Sequence, residues 1–316
     1  MAVHPCKKRS AAVLAAALIL IGSGSALAGF DEILERSFEV EPGGKLIMES
    51  DLGAIEISGT ENSRVKIEVF LEAKVRDRER AREIFDNFVI DFNKNGNDVE
   101  IFGDSKRSRA FPNNSQNRLN VEFVIAVPRE FNVDLKTSAG SIRIMNIHGE
   151  IFAETSGGSL GFERIDGPVR GRTSGGSILL EDCVGAMEVE TSGGSIKVDH
   201  VDGDVEAHTS GGSIKIEEVL GSINASTSGG GISAGIIGQP AHDCRLSTSG
   251  GSIKVYLDEK VNLDIDAKTS AGYVDSDLDV EVHGKIRKST LRGKINDGGP
   301  ELYLRTSGGN IHINRL

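Results

Sequence analysis

Nine copies of Thr-Ser-[Gly/Ala]-Gly punctuate this chain, beginning at Thr137, Thr155, Thr173, Thr191, Thr209, Thr227, Thr248, Thr269 and Thr306. The first five intervals are 18 residues and the next two are 21; the last, of 37, divides at Thr290, where Thr-Leu-Arg-Gly-Lys-Ile reads as a worn copy. Such a period marks a repeat architecture, in which one unit cannot bury its own apolar face and must stack on its neighbours. In the unit from Thr191 to His208, Ile196 and Val198 alternate with Lys197 and Asp199, and Val201 follows. Asp202-Gly203 then makes a turn, and Val205 and Ala207 alternate with Glu206 and His208. That alternation is strand periodicity. Each coil therefore holds two short strands and two corners, and strands so short persist only when coils stack in parallel, about 4.8 Å apart. Roughly nine steps predict a rod about 43 Å long.

The columns down the repeat fit this stack. The first inward site holds Ile142, Leu160, Ile178, Ile196, Ile214, Ile232 and Ile253, and the inward site of the second strand holds Ile151, Val169, Met187, Val205 and Ile223. Two residues later the site is small or apolar: Ala153, Gly171, Val189, Ala207 and Ala225. A corner glycine recurs at Gly149, Gly167, Gly185, Gly203 and Gly221, which fits a positive φ or a close approach between coils. Strand parity turns the motif threonine inward, so its hydroxyl is expected to bond neighbouring backbone. That disfavours an ice-binding array of exposed threonines.

The segment before the repeats differs. Ser50–Gly59 (SDLGAIEISG) matches a coil start, with Gly53, Ile55 and Ile57 in register. A strand near Val65–Val75, a helix around Asp77–Phe88, a hairpin at Asn95-Gly96 and a strand over Leu119–Val127 follow. We read residues 29–130 as a β-rich region that caps the N-terminal end of the solenoid over 131–316, since an uncapped sheet edge invites aggregation. The polar stretch 104–118 reads as an exposed loop. The predicted fold class is all-β: a single-chain β-solenoid (β-helix) with 18-residue two-strand coils, capped by an N-terminal region with one short helix.

Residues 1–28 read as a secretory signal peptide. Lys7, Lys8 and Arg9 precede the apolar run Ala11–Ile21, and Ala26-Leu27-Ala28 gives the small-x-small cleavage pattern. Eleven apolar residues rise only about 16 Å as a helix, roughly half a bilayer core, so a cleaved leader is favoured over an anchor. The expected product is exported, to the periplasm, the medium or the cell surface, and is not an integral membrane protein after cleavage. Cleavage before Gly29 leaves 288 residues with a formal net charge of −14. That disfavours nucleic acid and anionic lipid surfaces, which need clustered Lys and Arg.

On these residues the chain resembles the bacterial putative-adhesin family of DUF4097 type. The passages that carry the resemblance are GGKLIMESDLGAIEISG (Gly43–Gly59), FVIAVPREFNVDLKTSAGSIRI (Phe123–Ile144) and the TSGGSI coils. The resemblance implies a β-solenoid of the cell envelope or outside it. It brings no catalytic residues with it, and some relatives accompany envelope-stress systems.

Other chemistries do not fit the repeat. Hexapeptide acyltransferase spacing would put the apolar site at Ile196, Asp202 and His208, which fails, and the GGxGxD signature of calcium-binding nonapeptides is missing. Gly157-Gly158-Ser159-Leu160-Gly161 spells G-x-S-x-G, but no helix follows it and sister coils carry Lys197 and Lys215 at its last position. There is no HExxH, and His148, His200 and His208 fall on outward or corner positions. Cys183 and Cys244 occupy inward sites three coils apart, about 14 Å along the rod, too far for a disulfide. Outward aromatics suited to sugar stacking are few: Phe152, Phe162 and Tyr256.

One constellation remains. Glu163, Glu181, Asp199 and Glu217 fall on one outward column, with Asp166, Asp182, Asp202 and Glu218 at the adjoining corner. Hard divalent ions such as calcium favour such oxygen sets, which makes Glu163, Glu181, Asp199, Asp202 and Glu217 the cation candidates. The plainer reading, which we prefer, is a solvated face balanced by Lys197, Lys215 and Lys254. No catalytic or cofactor-binding residue is assigned. The functional expectation is an exported, non-enzymatic structural or adhesin-like module whose partner is an envelope protein or a surface glycan. An envelope-stress accessory or sensor is the alternative, and a polysaccharide-acting β-helix enzyme fits the uniform, short-cornered coils less well.

Overall fold

The computed structural model describes residues 29–105, 119–283 and 287–316. The expected signal peptide and most of the polar stretch 104–118 lie outside the described residues. Apart from one helix, Arg78–Asp86, the described elements are strands, and they form two long sheets of 13 and 14 strands. Each repeat contributes one strand to each sheet: Ile196–Asp202 lies in the first and Val205–Thr209 in the second. Successive coils pair in parallel with like residues side by side, so that Ile178, Ile196 and Ile214 are neighbours in the first sheet and Met187, Val205 and Ile223 in the second. Every member of both predicted inward columns is at most 2% exposed. Thirteen strands at about 4.8 Å per step make a stack roughly 58 Å long. It exceeds the predicted rod because the capping strands extend the same two sheets.

The TSGG motif proves to be the joint between coils. The Thr191 hydroxyl donates to the Gly176 carbonyl of the preceding coil at 2.8 Å and accepts from the Gly194 N–H of its own turn at 3.3 Å. The same pair of bonds recurs at Thr155, Thr173, Thr209, Thr227, Thr248, Thr269 and Thr306. These threonines are buried, so the hydroxyls are architecture and no ice-facing array exists along this column. The serine after the glycines forms a second ladder, the Ser177 hydroxyl accepting from the Ser195 N–H and the Ser195 hydroxyl from the Ser213 N–H. Ser159 belongs to that ladder, in a turn between two strands, which removes the nucleophile spelling around it.

A feature the repeat pattern did not announce bends five successive coils of the first sheet. Asn146, Arg164, Asp182, His200 and Glu218 all have φ between 51° and 60°, one per coil. That left-handed residue turns the strand after Asp199, so that Val201 returns to the core directly after the outward pair Asp199 and His200.

Both ends depart from simple succession. The coil Gly44–Ser50 and Ala54–Thr60 docks directly on Phe131–Thr137 and Ile142–His148, as the match at Ile55 and Ile57 predicts. Beyond it the sheets end in antiparallel pairs: Phe30–Glu39 on Arg64–Ala73, and Phe88–Asn95 on Asp98–Ser105. The hairpin turn falls one residue later than read, at Gly96-Asn97, with Gly96 at φ 63°. Asp77 caps the helix, whose Ala81 and Ile84 pack with Ala73 and Val75.

At the other end the last coil is out of order. Glu301–Thr306 lies between Cys244–Thr248 and Leu263–Thr269, and Ile311–Arg315 lies between Ile253–Leu257 and Val274–Ser276. The segment at Thr290 is not a worn coil. Thr290–Ile295 runs antiparallel to Leu263–Thr269 and forms the closing edge with the two-residue strand Glu281–Val282. It lacks the TSGG turn, so nothing joins it to a neighbouring coil in the parallel sense.

Cys183 and Cys244 are buried and lie on opposite sheets, at the inward sites of Val201 and Ile223. Burial pushes both thiols above their ordinary pKa. Both are expected to resist a thiol reagent in the native protein and to react together in urea. Reaction of either at neutral pH without denaturant would contradict this placement.

Candidate functional site

The predicted acidic column exists as drawn: Glu163, Glu181, Asp199 and Glu217 are neighbours on successive strands. The adjoining corner, read as one group with Asp202 in it, divides into two columns. The left-handed residue shifts the strand, so Asp182 and Glu218 fall in the bend column with His200, while Asp166 and Asp202 fall three positions beyond the acidic column, beside Val184.

The column carries its own counter-charges. Glu163 pairs with Arg143 at 2.8 Å and with Arg164, and Asp199 with Lys197 at 3.0 Å and the His200 ring at 2.9 Å. Glu217 meets Lys215 at 2.6 Å and Lys197 at 3.8 Å, and His200 reaches across to Glu218 at 2.7 Å. Lys254 lies in the same outward column as Lys197 and Lys215, two rungs beyond Lys215 with Ser233 between. The Arg143 hydrogen bond holds the Glu163 carboxyl below its ordinary range, and the Lys197 hydrogen bond does the same for Asp199. Among the described residues no three His, Cys, Asp or Glu side chains converge as metal ligands. Glu163, Asp199 and Glu217 are already engaged by cations and only Glu181 in the column is not, so millimolar calcium is expected to leave the melting temperature unchanged. A rise of several degrees would restore the column as a cation site.

These pairs also set a pH dependence. A carboxylate whose folded pKa lies below its unfolded one stabilises fully above the unfolded value, about 4, and that contribution fades as pH falls toward the folded value. The protein should therefore lose stability below about pH 4, and the Glu163→Gln/Asp199→Asn double variant should lose less over that interval. Parallel melting curves against pH for the two proteins would contradict the assignment.

Of the outward aromatics, Phe152 is half-buried on the second sheet under Lys136, and Tyr256 is half-buried on the first. Phe162 is 1% exposed and is a core residue. Parity decides it: Leu160 points in, Gly161 out and Phe162 in, aligned with Ile144 and Leu180.

A second constellation on the other face escaped the sequence reading. Arg245, Tyr303, Asp266 and Arg292 are neighbours across four strands of the second sheet. The guanidinium carbons of Arg245 and Arg305 lie 4.3 and 3.8 Å from the centre of the Tyr303 ring. Arg305 holds the Asp266 carboxylate at 2.7 Å and its carbonyl at 2.6 Å, and Arg292 approaches the same carboxylate at 3.1 Å. Burial raises the Asp266 pKa, but hydrogen bonds from Arg305 and Arg292 outweigh it and hold the group ionised below its ordinary range. The cluster draws on residues 245 to 305, brought together only because the last coil inserts out of order. No local pattern could have announced it.

A model of the family described as Toastrack DUF4097 matches residues 45–314. No curated protein matches the chain. Solved structures similar to it include a putative adhesin from Bacteroides fragilis, 13% identical over 90% of this chain and 97% of that one, with a TM-score of 0.42. A putative lipid binding protein from Parabacteroides distasonis is 13% identical over 90% and 96% of the two chains, with a TM-score of 0.40. A putative cell adhesion protein from Clostridium sporogenes is 14% identical over 89% and 99%, with a TM-score of 0.23. What those proteins bind does not carry over on so loose a superposition.

Proposed function

We propose, for a chain that belongs to the Toastrack DUF4097 family, that it is an exported, non-enzymatic binding module of the cell envelope, adhesin-like in displaying a rigid strand-built face to another surface component. The observation that supports this reading is the regularity of the outward rows. Along both sheets the same outward position recurs on every rung, from Gly161 through Leu179, Lys197 and Lys215 on one face and from Phe152 through Arg170, Glu188 and Glu206 on the other. Side chains fixed at one spacing on a stiff backbone lose little freedom when an extended partner lies along them. The signal-like start of the sequence supports export, and among the described residues no helix is long and apolar enough to cross a membrane. The partner is an envelope protein or a surface glycan.

Fractionation of cells expressing the full-length chain tests this reading. The expected result is a chain that starts at Gly29, recovered from the periplasm, the medium or the cell surface, and that sediments with isolated envelopes when purified and added back. An unprocessed chain confined to the cytosol, or no attachment to envelopes, would overturn it.

A further inference from the structure

The Arg245–Tyr303 cluster has the chemistry of an anion site. Arg245 sits over the Tyr303 ring, and among the described residues it has no carboxylate within ion-pair distance and no hydrogen bond. Its guanidinium fork is therefore oriented by the ring while its N–H donors remain open, an arrangement suited to a carboxylate or phosphate. Arg305, only 21% exposed and bonded to Asp266, supports the other side of the ring. Arg292, 61% exposed, shares the same carboxylate and has donors to spare. In this row Arg245 and Arg292 stand against Asp266; Arg305 and Lys268 lie in the row beside it, and Asp264 and Glu301 in the row on the other side.

We propose that this cluster binds an acidic sugar polymer through its carboxylate or phosphate groups. This rests on the envelope-binding reading above and names the class of partner. Arg245 and Arg292 are three rungs apart, about 14 Å, farther than one small anion can bridge, so the row suits anions repeated along an extended chain. A planar anionic membrane is a poorer fit, because it would also meet Glu188, Glu190 and Glu206 on the same face. A polymer segment that spans only Arg245 to Arg292 stops short of Glu206, which lies two rungs before Arg245 in the same row.

Binding of polygalacturonate to the purified full chain, with neutral dextran and phosphatidylglycerol vesicles as comparison ligands, tests the proposal. Polygalacturonate is expected to bind, dextran and vesicles are not, and Arg245→Gln/Arg292→Gln is expected to weaken binding about tenfold or more with an unchanged melting curve. Lys197→Gln/Lys215→Gln makes the same change in net charge on the other sheet and should leave binding intact. Equal weakening by both double variants, no binding to polygalacturonate, or binding to vesicles alone would each overturn the proposal. If the arginine variant still attaches to isolated envelopes as the parent does, the anion site falls while the envelope-binding reading stands.

Discussion

Gly194→Ala is expected to destabilise the protein by about 3 kcal/mol, whereas Gly193→Ala, one residue away in the same turn, should stay within about 0.5 kcal/mol of the parent. A methyl group at Gly194 would stand 2.0 Å from the Gly176 carbonyl oxygen and 2.4 Å from its carbon. Backbone atoms cannot rotate aside, and this carbonyl also accepts the Thr191 hydroxyl at 2.8 Å. The two coils would have to separate, breaking the joint that the threonine makes. At Gly193 the nearest atoms lie 3.5 Å away, an ordinary contact. The repeat supports the distinction, since Ala139 and Ala271 occupy the equivalent of Gly193 in two turns, while the fourth position of all nine motifs is glycine. Urea melts of the two variants decide it. Equal midpoints would mean that the second glycine is kept for some reason other than coil spacing.

That contrast shows which parts of the fold the sequence discloses. Whatever depends on a residue and its counterpart 18 positions away is legible, because the repeat prints the contact. Ile196 over Ile178, the threonine ladder and the separation of Cys183 from Cys244 all follow from period and parity. Interactions that break the period do not. The left-handed column hides because Asn146, Arg164, Asp182, His200 and Glu218 share a conformation but no chemistry. Without it the corner acids merge into one column, which is how Asp202 came to be grouped with Glu218. The out-of-order last coil hides more deeply. Thr306 reads as one more step after Thr269, yet its coil sits before that of Thr269, and only the 37-residue gap hints at a detour. The Arg245–Tyr303 cluster depends on that detour, so the acidic column is visible from sequence while this cluster on the other face is not.

Parity also decides Phe162, grouped from sequence with the outward aromatics and placed by the structure in the core. The structure accommodates its ring by pairing sizes across the core. The virtual Cβ of Gly171 would lie 2.9 and 3.0 Å from two carbons of the Phe162 ring. The ring thus fills the space that Ala153, Val189 and Ala207 occupy in other coils. Phe162→Ala should cost about 3–5 kcal/mol, because the ring is fully buried and the glycine facing it offers nothing to close the cavity. Gly171→Ala alone should cost about 1–3 kcal/mol by crowding the ring. The informative variant is Phe162→Leu with Gly171→Ala, which returns both columns to the sizes of their neighbours. If the large and small residues compensate each other, the double variant is more stable than the costs of Phe162→Leu alone and Gly171→Ala alone predict, by about 1 kcal/mol or more. A double-mutant cycle in urea measures this coupling. Strict additivity would show that the glycine is tolerated for its backbone and not for the ring it faces.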